Sequence, residues 1–562
     1  MVEIQKEKIK AYALENAVNH GGKAVSGAVI NALFTEGLKK EEIKGITPIM
    51  NEVLNEINAL TIDEQKAAYD VVKGYVKKRE QRTGLPELPE ATKGKVVMRI
   101  APFPSGPLHI GNARPFILND QYCKDYEGKL ILVIDDTMGS EEKPVAKEAY
   151  KMIPEGLDWL GIKYDKKIIY KSDRLQLYYD YAEELIKKDY MYVCSCSQEE
   201  MRDLREKGQE CACRNLPDQL ERWKEMFKAK EGKFTVRLKT SMQDPNPAFR
   251  DRVMFRITNR EHPKVGKKYS VWPLLDFSWA VDDHLLGITH ILRGVDLMME
   301  TKVEEFIWNI FKWKVPKVIY TGFLAIEGVK ISKSKGSKEV RAGTYIGWND
   351  PRLWSLQSLQ DRGILPESIR EFILAQGITK SNSTVAIDVL YSLNRKNLEK
   401  VPRYFFIENP VKIHIKASPN LKAKIPLHPS LNLGDRTCET MQDFWIGKSD
   451  FDAMTKGSYR LMHLLNFEAG EHLMSHEKEF RFLSEHPDEK LKPKFIHWLS
   501  ANHDNLDVTI RMPDSSIVTG FGEPALASLK TGDIVQFERF GFCKLHKLDK
   551  KENIAEFWFA HK

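Results

Sequence analysis

Apolar residues in the first 84 positions recur with the period of an α-helix. Two such stripes are formed by Val25, Ala28, Val29, Ala32 and Leu33, and by Ala68, Val71, Val72, Tyr75 and Val76. Because each stripe covers one face of an otherwise polar segment, it predicts an amphipathic helix that packs on a shared core. Thr61 and Glu64 have the spacing of a capping box and mark the start of the second helix. We therefore expect a small helical domain over residues 1–84, followed by a stiff polar linker over 85–92.

From about residue 93 the pattern alternates between apolar strands and helices. K-V-V-M-R-I (95–100) predicts a buried strand, and K-L-I-L-V-I-D (129–135) predicts a second one. Between them the chain becomes helical after Asn112, with Pro115 in the first turn, where its missing N–H costs nothing, and Gly128 at the end. Strand, helix and strand form one βαβ unit, which closes right-handed into a parallel sheet. Ligands of such sheets bind beyond the carboxyl ends of the strands.

This alternation continues to about residue 400. We expect helices at 147–160, 175–188 and 296–312, and strands at H-I-L-R-G (290–294) and K-V-I-Y-T-G (317–322). The intervening segment 234–260 is strand-like and basic. Its cationic residues either follow a phosphate backbone or serve surface solubility; they are Arg237, Lys239, Arg252, Arg256 and Arg260. Residues 350–400 are again helical, with Ile369, Phe372 and Ile373 on one stripe.

From about residue 401 the apolar period changes to two. The alternation of apolar with basic residues predicts a half-buried strand; it runs through Val411, Lys412, Ile413, His414, Ile415 and Lys416. Residues 533–548 and E-F-W-F-A (556–560) show the same period. The C-terminal region is therefore expected to be rich in β-strands, although residues 434–456 show no clear pattern.

Two loops carry the candidate chemistry. The turn P-F-P-S-G-P-L-H-I-G-N (102–112) lies at strand ends that also hold Asp135. A helix start beside a glycine turn is a natural binding site for phosphate. Far downstream, G-V-K-I-S-K-S-K-G (328–336) alternates lysines with serines, and such a loop suits closure over a polyphosphate. Taken separately, an ordinary turn and a solvated lysine-rich loop are the simpler explanations.

Four cysteines form two close pairs, Cys194 with Cys196 and Cys211 with Cys213. Where thiols are kept reduced, this arrangement suggests a tetrahedral zinc site that stabilises a small insertion. The alternative is four unrelated free thiols. Because four thiolates leave no open coordination position, such a zinc ion would be structural.

The composition is that of a globular protein, with 42% apolar and 29% charged residues among 562. No apolar run approaches the roughly 18 residues of a membrane helix. The first residues are too charged for a secretory signal, so we expect a cytoplasmic protein that does not use a membrane. The net charge of +7 is compatible with nucleic-acid binding but does not establish it.

Several motifs, in this order, resemble those of one enzyme family. L-H-I-G-N (108–112) and K-I-S-K-S (330–334) resemble the two ATP-binding motifs of class I aminoacyl-tRNA synthetases. V-D-D-H-L-L-G-I-T-H-I-L-R-G (281–294) and G-D-I-V-Q-F-E-R-F-G-F (532–542) resemble the glutamyl and glutaminyl branch of that class. The two ends of the chain resemble the archaeal type of glutamyl-tRNA synthetase, so the resemblance covers nearly the whole sequence.

The resemblance implies a multidomain architecture of α/β and all-β parts. These are an N-terminal helical domain (1–84) with its linker (85–92), a Rossmann-like catalytic domain in two halves (93–190 and 266–345), an acceptor-stem-binding insertion with a candidate zinc site (191–265), a helical stem-contact region (346–400) and a C-terminal antiparallel β-barrel that binds the anticodon (401–562). The helical domain is then either a module that binds tRNA or a partner, or a docking spacer. Trp445 and Phe444 are candidates for stacking on anticodon bases.

The implied activity is the ATP-dependent ligation of L-glutamate to the 3′ end of tRNA(Glu) through a glutamyl-adenylate, with tRNA(Gln) as an open further substrate. The implied cofactors are ATP with Mg²⁺ and a structural Zn²⁺, and the implied state is a monomer. The implied catalytic residues are His109, Lys330 and Lys333. ATP would contact Pro104, Ser105, Gly106, His109, Gly111, Asn112, Lys330, Ser332, Lys333 and Ser334, and glutamate would contact Arg99, Asp135, Trp272 and Arg293.

Some positions depart from the family pattern. Asn112 stands where much of the class has histidine, Met138 where the family usually has an acidic or amide residue, and Val133 where arginine is common. The alternatives are a glutaminyl-tRNA synthetase, which shares most of these motifs, and a non-catalytic tRNA-binding protein that keeps the fold. H-I-G-N-A-R (109–114) favours the glutamyl branch, and the intact lysine loop together with His109 favours catalysis.

Overall fold

The computed structural model describes residues 6–19, 21–35, 38, 40–76, 84–139, 141, 143–328, 333–471 and 478–562. The chain divides into two compact units, Met1–Thr83 and Gly84–Lys562. Within the described residues, no helix combines the length and the apolar character that crossing a membrane requires.

The first unit is helical, as its apolar stripes predict. Its helices are α1 (Lys6–Asn19), α2 (Ser26–Thr35), α3 (Ile43–Asn58) and α4 (Ile62–Val72). Val29 and Leu33 of the first stripe are fully buried in the core that these helices share. The capping box before α4 is present, because Thr61 and Glu64 each accept a hydrogen bond from the other's backbone N–H. The prediction that the second stripe faces the core is only partly right, since Val71 is 83% exposed.

The second unit begins with alternating strands and helices. Up to residue 400 they are β1 (Val97–Ile100), α5 (Ile110–Asp125), β2 (Lys129–Ile134), α6 (Ala149–Trp159), β3 (Ile169–Tyr170), α7 (Leu175–Lys187), β4 (Met191–Cys194), α8 (Gln198–Lys207), α9 (Gln219–Met226), β5 (Thr235–Leu238), β6 (Val253–Ile257), β7 (Val271–Pro273), α10 (Leu275–Leu285), β8 (His290–Gly294), α11 (Met298–Phe311), β9 (Lys317–Thr321), β10 (Leu324–Ile326), α12 (Lys333–Arg341), α13 (Leu356–Arg362), α14 (Pro366–Gln376), β11 (Ser383–Val385) and α15 (Ile387–Asn397).

Parallel strands form the sheet that positions the candidate site. β1, β2 and β3 pair in parallel, and so do β8 and β9. The Thr289 N–H, just before β8, donates to the Val97 carbonyl of β1 at 2.9 Å and joins the two parts. The resulting order of strands is β3-β2-β1-β8-β9. The chain therefore runs outward from β1 to β2 and β3 on one side of the sheet, and outward from β8 to β9 on the other. Ligands of parallel α/β sheets bind at the carboxyl ends of the strands at such a point.

Helix α5 begins earlier than the sequence suggested. Its first residue is Ile110, so Pro115 lies inside the helix and the expectation of a first-turn proline is wrong. Because proline has no N–H, the Gly111 carbonyl receives no helical hydrogen bond from residue 115. Gly128 follows the helix as expected, and a β-carbon there would lie 2.7 Å from the Val96 carbonyl oxygen.

Strands β4 to β7 form an antiparallel sheet in sequence order. Since β7 ends at Pro273, this sheet continues past the expected end of the insertion at residue 265. Its basic side chains bind protein groups: Arg237 Nη1 donates to the Asp251 carbonyl at 3.1 Å, and Arg256 Nη2 donates to the Met138 carbonyl at 2.7 Å. Arg252 Nη2 lies 2.7 Å from a Glu300 carboxylate oxygen. These three arginines therefore bind groups of the protein itself, which is more than surface solubility requires, while a role in following a phosphate backbone stays a prediction.

The helical region 350–400 packs on the core of the parallel sheet. The stripe Ile369, Phe372 and Ile373 is fully buried there, as predicted. The short strand β11 inside this region, which pairs with β10, was not expected.

The remaining chain is almost entirely β-structure. Its elements are β12 (Arg403–Tyr404), β13 (Phe406–Glu408), β14 (Pro410–Lys416), β15 (Leu421–Pro426), β16 (Asp435–Thr440), β17 (Asp443–Gly447), α16 (Lys448–Ala453), β18 (Gly457–Leu461), β19 (Asn466–Glu471), β20 (Lys478–Ser484), β21 (Lys494–Ile496), β22 (Leu499–Ser500), β23 (Leu506–Arg511), β24 (Ile517–Gly522), β25 (Ile534–Phe537), β26 (Gly541–Asp549) and β27 (Ile554–His561).

These strands curl into two barrels rather than one. One sheet has the order β12-β25-β26-β27-β23-β24-β13 and the other β21-β18-β19-β20-β14-β17-β22. Strands β12 and β13 are the two opposite edges of the first sheet, yet only Phe405 separates them in the chain. Strands β21 and β22 are the two edges of the second sheet, and only His497 and Trp498 separate them. A single chain segment therefore joins the two edges of each sheet and closes it. Most pairs are antiparallel, as expected, whereas the pairs β12/β25, β14/β20, β18/β21 and β23/β27 are parallel.

Strand β14 confirms the period of two. Ile413 and Ile415 are buried, whereas the alternating Lys412, His414 and Lys416 are exposed. Phe444 is fully buried, so it is a core residue and not a surface for stacking on bases. The ring of Trp445 packs 5.2 Å from that of Phe521.

Candidate active site

A cavity of about 510 Å³ opens at the carboxyl ends of β1 and β8. Its lining includes Arg99 and Ile100 from β1, Gly111 and Asn112 from the start of α5, and Arg293 from β8. The turn 102–112 and the β8 motif, which lie far apart in the sequence, therefore meet at one cavity. This is the edge of the sheet at which the order of strands reverses.

His109 forms the N-cap of α5. Its Nδ1 accepts a hydrogen bond from the Asn112 N–H at 3.3 Å, and the Asn112 side-chain oxygen accepts one from the His109 N–H at 3.3 Å. Because Nδ1 is the acceptor, the proton of the neutral imidazole is on Nε2, which is then a donor. The cap thus fixes the ring at the helix N-terminus, where the helix dipole favours anions.

The glycine turn is held by the segment that follows the lysine loop. The Ile110 N–H donates to the Trp354 carbonyl at 3.1 Å, and the Leu356 N–H donates to the Leu108 carbonyl at 2.9 Å. A β-carbon at Gly106 would lie 3.1 Å from the Trp348 ring, and one at Gly336 would lie 3.4 Å from the same ring. Trp348 therefore packs between the glycine turn and helix α12, which begins within the lysine loop.

The other predicted nucleotide contacts divide into two groups. Pro104 and Ser105 belong to the glycine turn, and the Pro104 carbonyl accepts a hydrogen bond from the Ala146 N–H at 2.8 Å. Lys330 and Ser332 lie outside the described residues, and for Lys333 and Ser334 the description covers the backbone of helix α12. Their predicted roles stay predictions.

The two predicted arginines have different environments. Arg99 is satisfied internally: its Nε and Nη2 bind the two carboxylate oxygens of Asp283 at 2.5 and 2.8 Å. Arg293 uses only Nη1, which lies 2.9 Å from the nearer carboxylate oxygen of Glu304. Its Nε and Nη2 are buried and have no hydrogen-bond partner within the described residues. Because a buried guanidinium N–H without a partner is unfavourable, Arg293 is the better prepared to receive an anion.

Trp279, which the sequence analysis missed, organises these charges. Its ring lies 4.3 Å from the Arg99 guanidinium carbon and 4.8 Å from that of Arg293. Its indole N–H donates to Asp135 Oδ2 at 2.9 Å. Trp279 lines the cavity, so it stands between the cavity and Asp135.

Asp135 is paired within the protein. Lys171 Nζ lies 3.1 Å from its Oδ2, and the Thr137 hydroxyl donates to its Oδ1 at 3.1 Å. Lys171 is fully buried and also donates to the Ser278 hydroxyl at 2.8 Å. Burial lowers the pKa of Lys171 below its ordinary value. The sequence singled out neither Lys171 nor the acidic partners of the arginines, although Asp283 lies within the quoted V-D-D motif.

Trp272 does not lie where the resemblance suggested. It is fully buried in β7, its ring stacks on His262 at 5.1 Å, and its indole N–H donates to the Tyr269 carbonyl at 3.2 Å. It does not line the cavity that the described residues form. The aromatic wall of the cavity comes from Trp279 instead.

Glu304 gives the site a dependence on pH. Burial raises the pKa of Glu304 from 4.5 to about 7, against the opposing charge of Arg293. Between pH 4.5 and pH 7 the carboxyl of Glu304 is protonated in the folded protein and ionised in the unfolded chain. The contribution of Glu304 to the free energy of unfolding is therefore fully present below pH 4.5 and is lost as the pH rises through 7. The raised pKa corresponds to a loss of roughly 3 kcal/mol over this range.

We expect the Glu304→Gln variant not to show this loss of stability as the pH rises. Between pH 5 and pH 8 the wild-type melting temperature should fall relative to that of the variant, because a glutamine has no proton to release. Thermal unfolding across that range checks it, with Glu305→Gln, an exposed neighbour on α11, as the matched control. Parallel curves for Glu304→Gln and the wild type would contradict the prediction.

The four cysteines of the insertion converge. The sulfurs of Cys194, Cys196, Cys211 and Cys213 all lie within 4.8 Å of one another. The distances from Cys194 to Cys211 and from Cys196 to Cys213 are 3.8 Å. Four sulfurs placed about 2.3 Å from a central ion in a tetrahedron are roughly 3.8 Å apart, so the cluster fits zinc. A hydrogen bond from the Cys194 thiol lowers the pKa of Cys211 to about 5, which favours the thiolate that a metal needs.

We expect Cys213→Ser to lose bound zinc and to melt at a lower temperature. A structural zinc contributes directly to the stability of a small insertion, and three thiolates hold it less tightly than four. Elemental analysis of the purified protein, together with thermal unfolding, checks this. Cys438→Ser, which changes a cysteine outside the cluster, should keep both values. A wild-type protein without stoichiometric zinc would refute the assignment.

The fold and the cavity define a ligand-binding protein of the parallel α/β class. Residues 95–400 match the family described as tRNA synthetases class I (E and Q), catalytic domain. Residues 401–482 and 495–546 match the two anticodon-binding domains of the same family.

Curated relatives match over the full length. The glutamate–tRNA ligase of Pyrococcus abyssi is 43% identical over 577 residues and covers 100% of both chains. That of Methanocaldococcus jannaschii is 40% identical and covers 97% of this chain and 98% of the other. The chain therefore belongs to the class I tRNA synthetases and, within them, to the glutamate–tRNA ligase family. A crystal structure of a glutamate tRNA ligase from Elizabethkingia meningosepticum covers 54% of this chain and 70% of that one, with 18% identity and a TM-score of 0.39, too low to support an inference.

Proposed function

We propose that this chain joins L-glutamate to the 3′ end of tRNA(Glu) through a glutamyl-adenylate, using ATP with Mg²⁺. Membership of the family supports this activity. The structural observation that supports it is the position of Trp348: its ring would lie 3.1 Å from a β-carbon at Gly106 of the glycine turn and 3.4 Å from one at Gly336, the last residue of the lysine loop. The two motifs are thereby held close enough to act on one nucleotide.

The first motif acts by position and charge. The glutamate α-carboxylate attacks the α-phosphorus of ATP and pyrophosphate leaves, so no protein nucleophile is needed. His109, fixed by its hydrogen bond with Asn112, presents an Nε2–H donor to phosphate or ribose oxygens. Lys330 and Lys333 neutralise the charge on the departing phosphates. These are contributions of preorganised donors to the stability of a transition state.

The amino acid binds beside the two arginines. We assign the side-chain carboxylate to Arg293, whose Nε and Nη2 form a fork suited to a carboxylate. Arg99 contributes charge but keeps its pairing with Asp283. Asp135 holds the α-ammonium of the amino acid. A glutamine amide offers this fork one acceptor oxygen and a donor NH2, so it cannot accept from both N–H groups, and the pocket favours glutamate over glutamine.

The remaining parts position the tRNA. Zinc on Cys194, Cys196, Cys211 and Cys213 would stabilise the insertion that approaches the acceptor end, and the two barrels bind the anticodon region. The closed cysteine site leaves no coordination position for a substrate, so its role is structural.

ATP–pyrophosphate exchange tests the proposal. The full chain should exchange with glutamate in the presence of purified tRNA(Glu) and not with glutamine, and parallel reactions with tRNA(Gln) determine whether it is also charged. A preference for glutamine would make the chain a glutaminyl enzyme. Absence of exchange with every amino acid, while tRNA still binds, would indicate a non-catalytic tRNA-binding protein.

A further inference from the structure

The carboxylate proposed to hold the ammonium of the amino acid already holds an ammonium of the protein. Lys171 Nζ lies 3.1 Å from Asp135 Oδ2, and both residues are at most 1% exposed. Lys171 stands at the start of the short helical turn after β3, so the backbone directs it into the site. The Trp279 indole N–H donates to the same oxygen at 2.9 Å, so the two donors occupy both of its lone pairs and leave no place on it for a second ammonium.

The surroundings of Lys171 suit a compact cation. Its Nζ donates to the Ser278 hydroxyl at 2.8 Å and lies 5.1 Å from the centre of a Trp279 ring. A hydroxyl, a carboxylate and an aromatic face are the groups that recognise an ammonium ion. The amino acid's own ammonium presents the same chemistry.

Access to Asp135 runs through Trp279. The indole lines the cavity on one side and donates to Asp135 on the other. Asp135 itself does not line the cavity. Both Trp279 and Lys171 must therefore move before a ligand in the cavity can contact the carboxylate.

We propose that Lys171 is a specificity-determining residue: its ammonium occupies the position on Asp135 that the α-ammonium of the amino acid takes, so the amino acid binds by displacing it. This rests on the proposed function, which assigns that ammonium to Asp135. Asp282 is the second carboxylate whose charge acts on Lys171, and its two oxygens already accept hydrogen bonds from Arg174 Nε at 2.7 Å and from the Tyr178 hydroxyl at 2.6 Å. The displacement lowers the affinity for any ligand that carries an ammonium and leaves other diacids unaffected.

Calorimetric titration of the full chain with glutamate and with glutarate, the same diacid without an ammonium, tests this. Lys171→Gln removes the competing cation. If the open arrangement is populated at about 0.1–10%, the variant should bind glutamate about 10- to 1,000-fold more tightly than the wild type does. Glutarate should bind both proteins equally. Lys171→Arg keeps a competing cation and should resemble the wild type.

A control and a second variant complete the experiment. Lys129→Gln removes a lysine from an exposed ion pair with Asp165 and should change neither affinity. Should Lys171→Gln fail to fold, the double variant Lys171→Met, Asp135→Asn removes both charges, and it should bind glutamate no better than glutarate. Unchanged or weaker glutamate binding by Lys171→Gln, or a glutamate preference in the double variant, would overturn the proposal.

These outcomes are distinct from failure of the proposed function. A wild-type chain that binds glutamate but forms no glutamyl-tRNA refutes the activity, while the glutamate-to-glutarate comparison still decides the role of Lys171. If no variant binds either diacid, both proposals are overturned.

Discussion

Replacement of Lys333 by alanine is expected to reduce glutamate-dependent ATP–pyrophosphate exchange by about 100- to 1,000-fold, the cost that typically follows the loss of one preorganised charge-stabilising donor. The lysine acts on charge that develops as pyrophosphate leaves, so the loss should appear mainly in kcat. The affinity for glutamate should change little, since Arg293 and Asp135 lie at the other end of the proposed adenylate.

The matched control is Lys338→Ala on the same helix. Lys338 is exposed, so its loss should leave the exchange rate within about two-fold of the wild type. Because Gly336 of this helix contacts Trp348, both variants must first be shown to keep the wild-type melting temperature. Equal rates for Lys333→Ala and the wild type would remove the second motif from the chemistry and, with it, the proposed convergence of the two segments.

Replacement of Arg293 by lysine is expected to raise the KM for glutamate and to lower kcat/KM by about 10- to 150-fold, since a hydrogen bond to a charged group contributes roughly 1.5–3 kcal/mol. Lysine keeps the positive charge beside Glu304, so the buried carboxylate is not left unpaired. It cannot reproduce the planar fork that Nε and Nη2 offer. The KM for ATP should stay at its wild-type value.

Arg370→Lys provides the comparison for this substitution. Arg370 pairs with Asp120 at 2.8 Å, outside the cavity, so its replacement should leave kcat/KM for glutamate unchanged. Steady-state exchange kinetics at varied glutamate and ATP check both variants. An equal rise of KM for both substrates in Arg293→Lys would mean that Arg293 maintains the cavity as a whole and does not bind the carboxylate.

The local pattern of the chain determined several of its elements. The period of 3.6 placed the helices α2 and α4, and the period of two placed strand β14, because side-chain direction repeats with the backbone geometry of each element. The pattern could not show that Val71 faces solvent, because the stripe continues to Val76 whereas helix α4 ends at Val72. It also could not show that two sheets close separately, since closure depends on segments such as 403–408 that pair on both sides.

The sequence by itself determined the positions of the two motifs, the paired cysteines and the family to which they point, because these depend on residue types at fixed spacing. The tertiary structure alone decided which charges are already satisfied. It paired Arg99 with Asp283, left two buried nitrogens of Arg293 without partners in the part of the chain that the structure describes, and placed Lys171 against Asp135. The physical reason is that these partners come from strands and helices far apart in the chain, and a buried charge is stabilised or left available only by the groups that folding brings within a few ångströms of it.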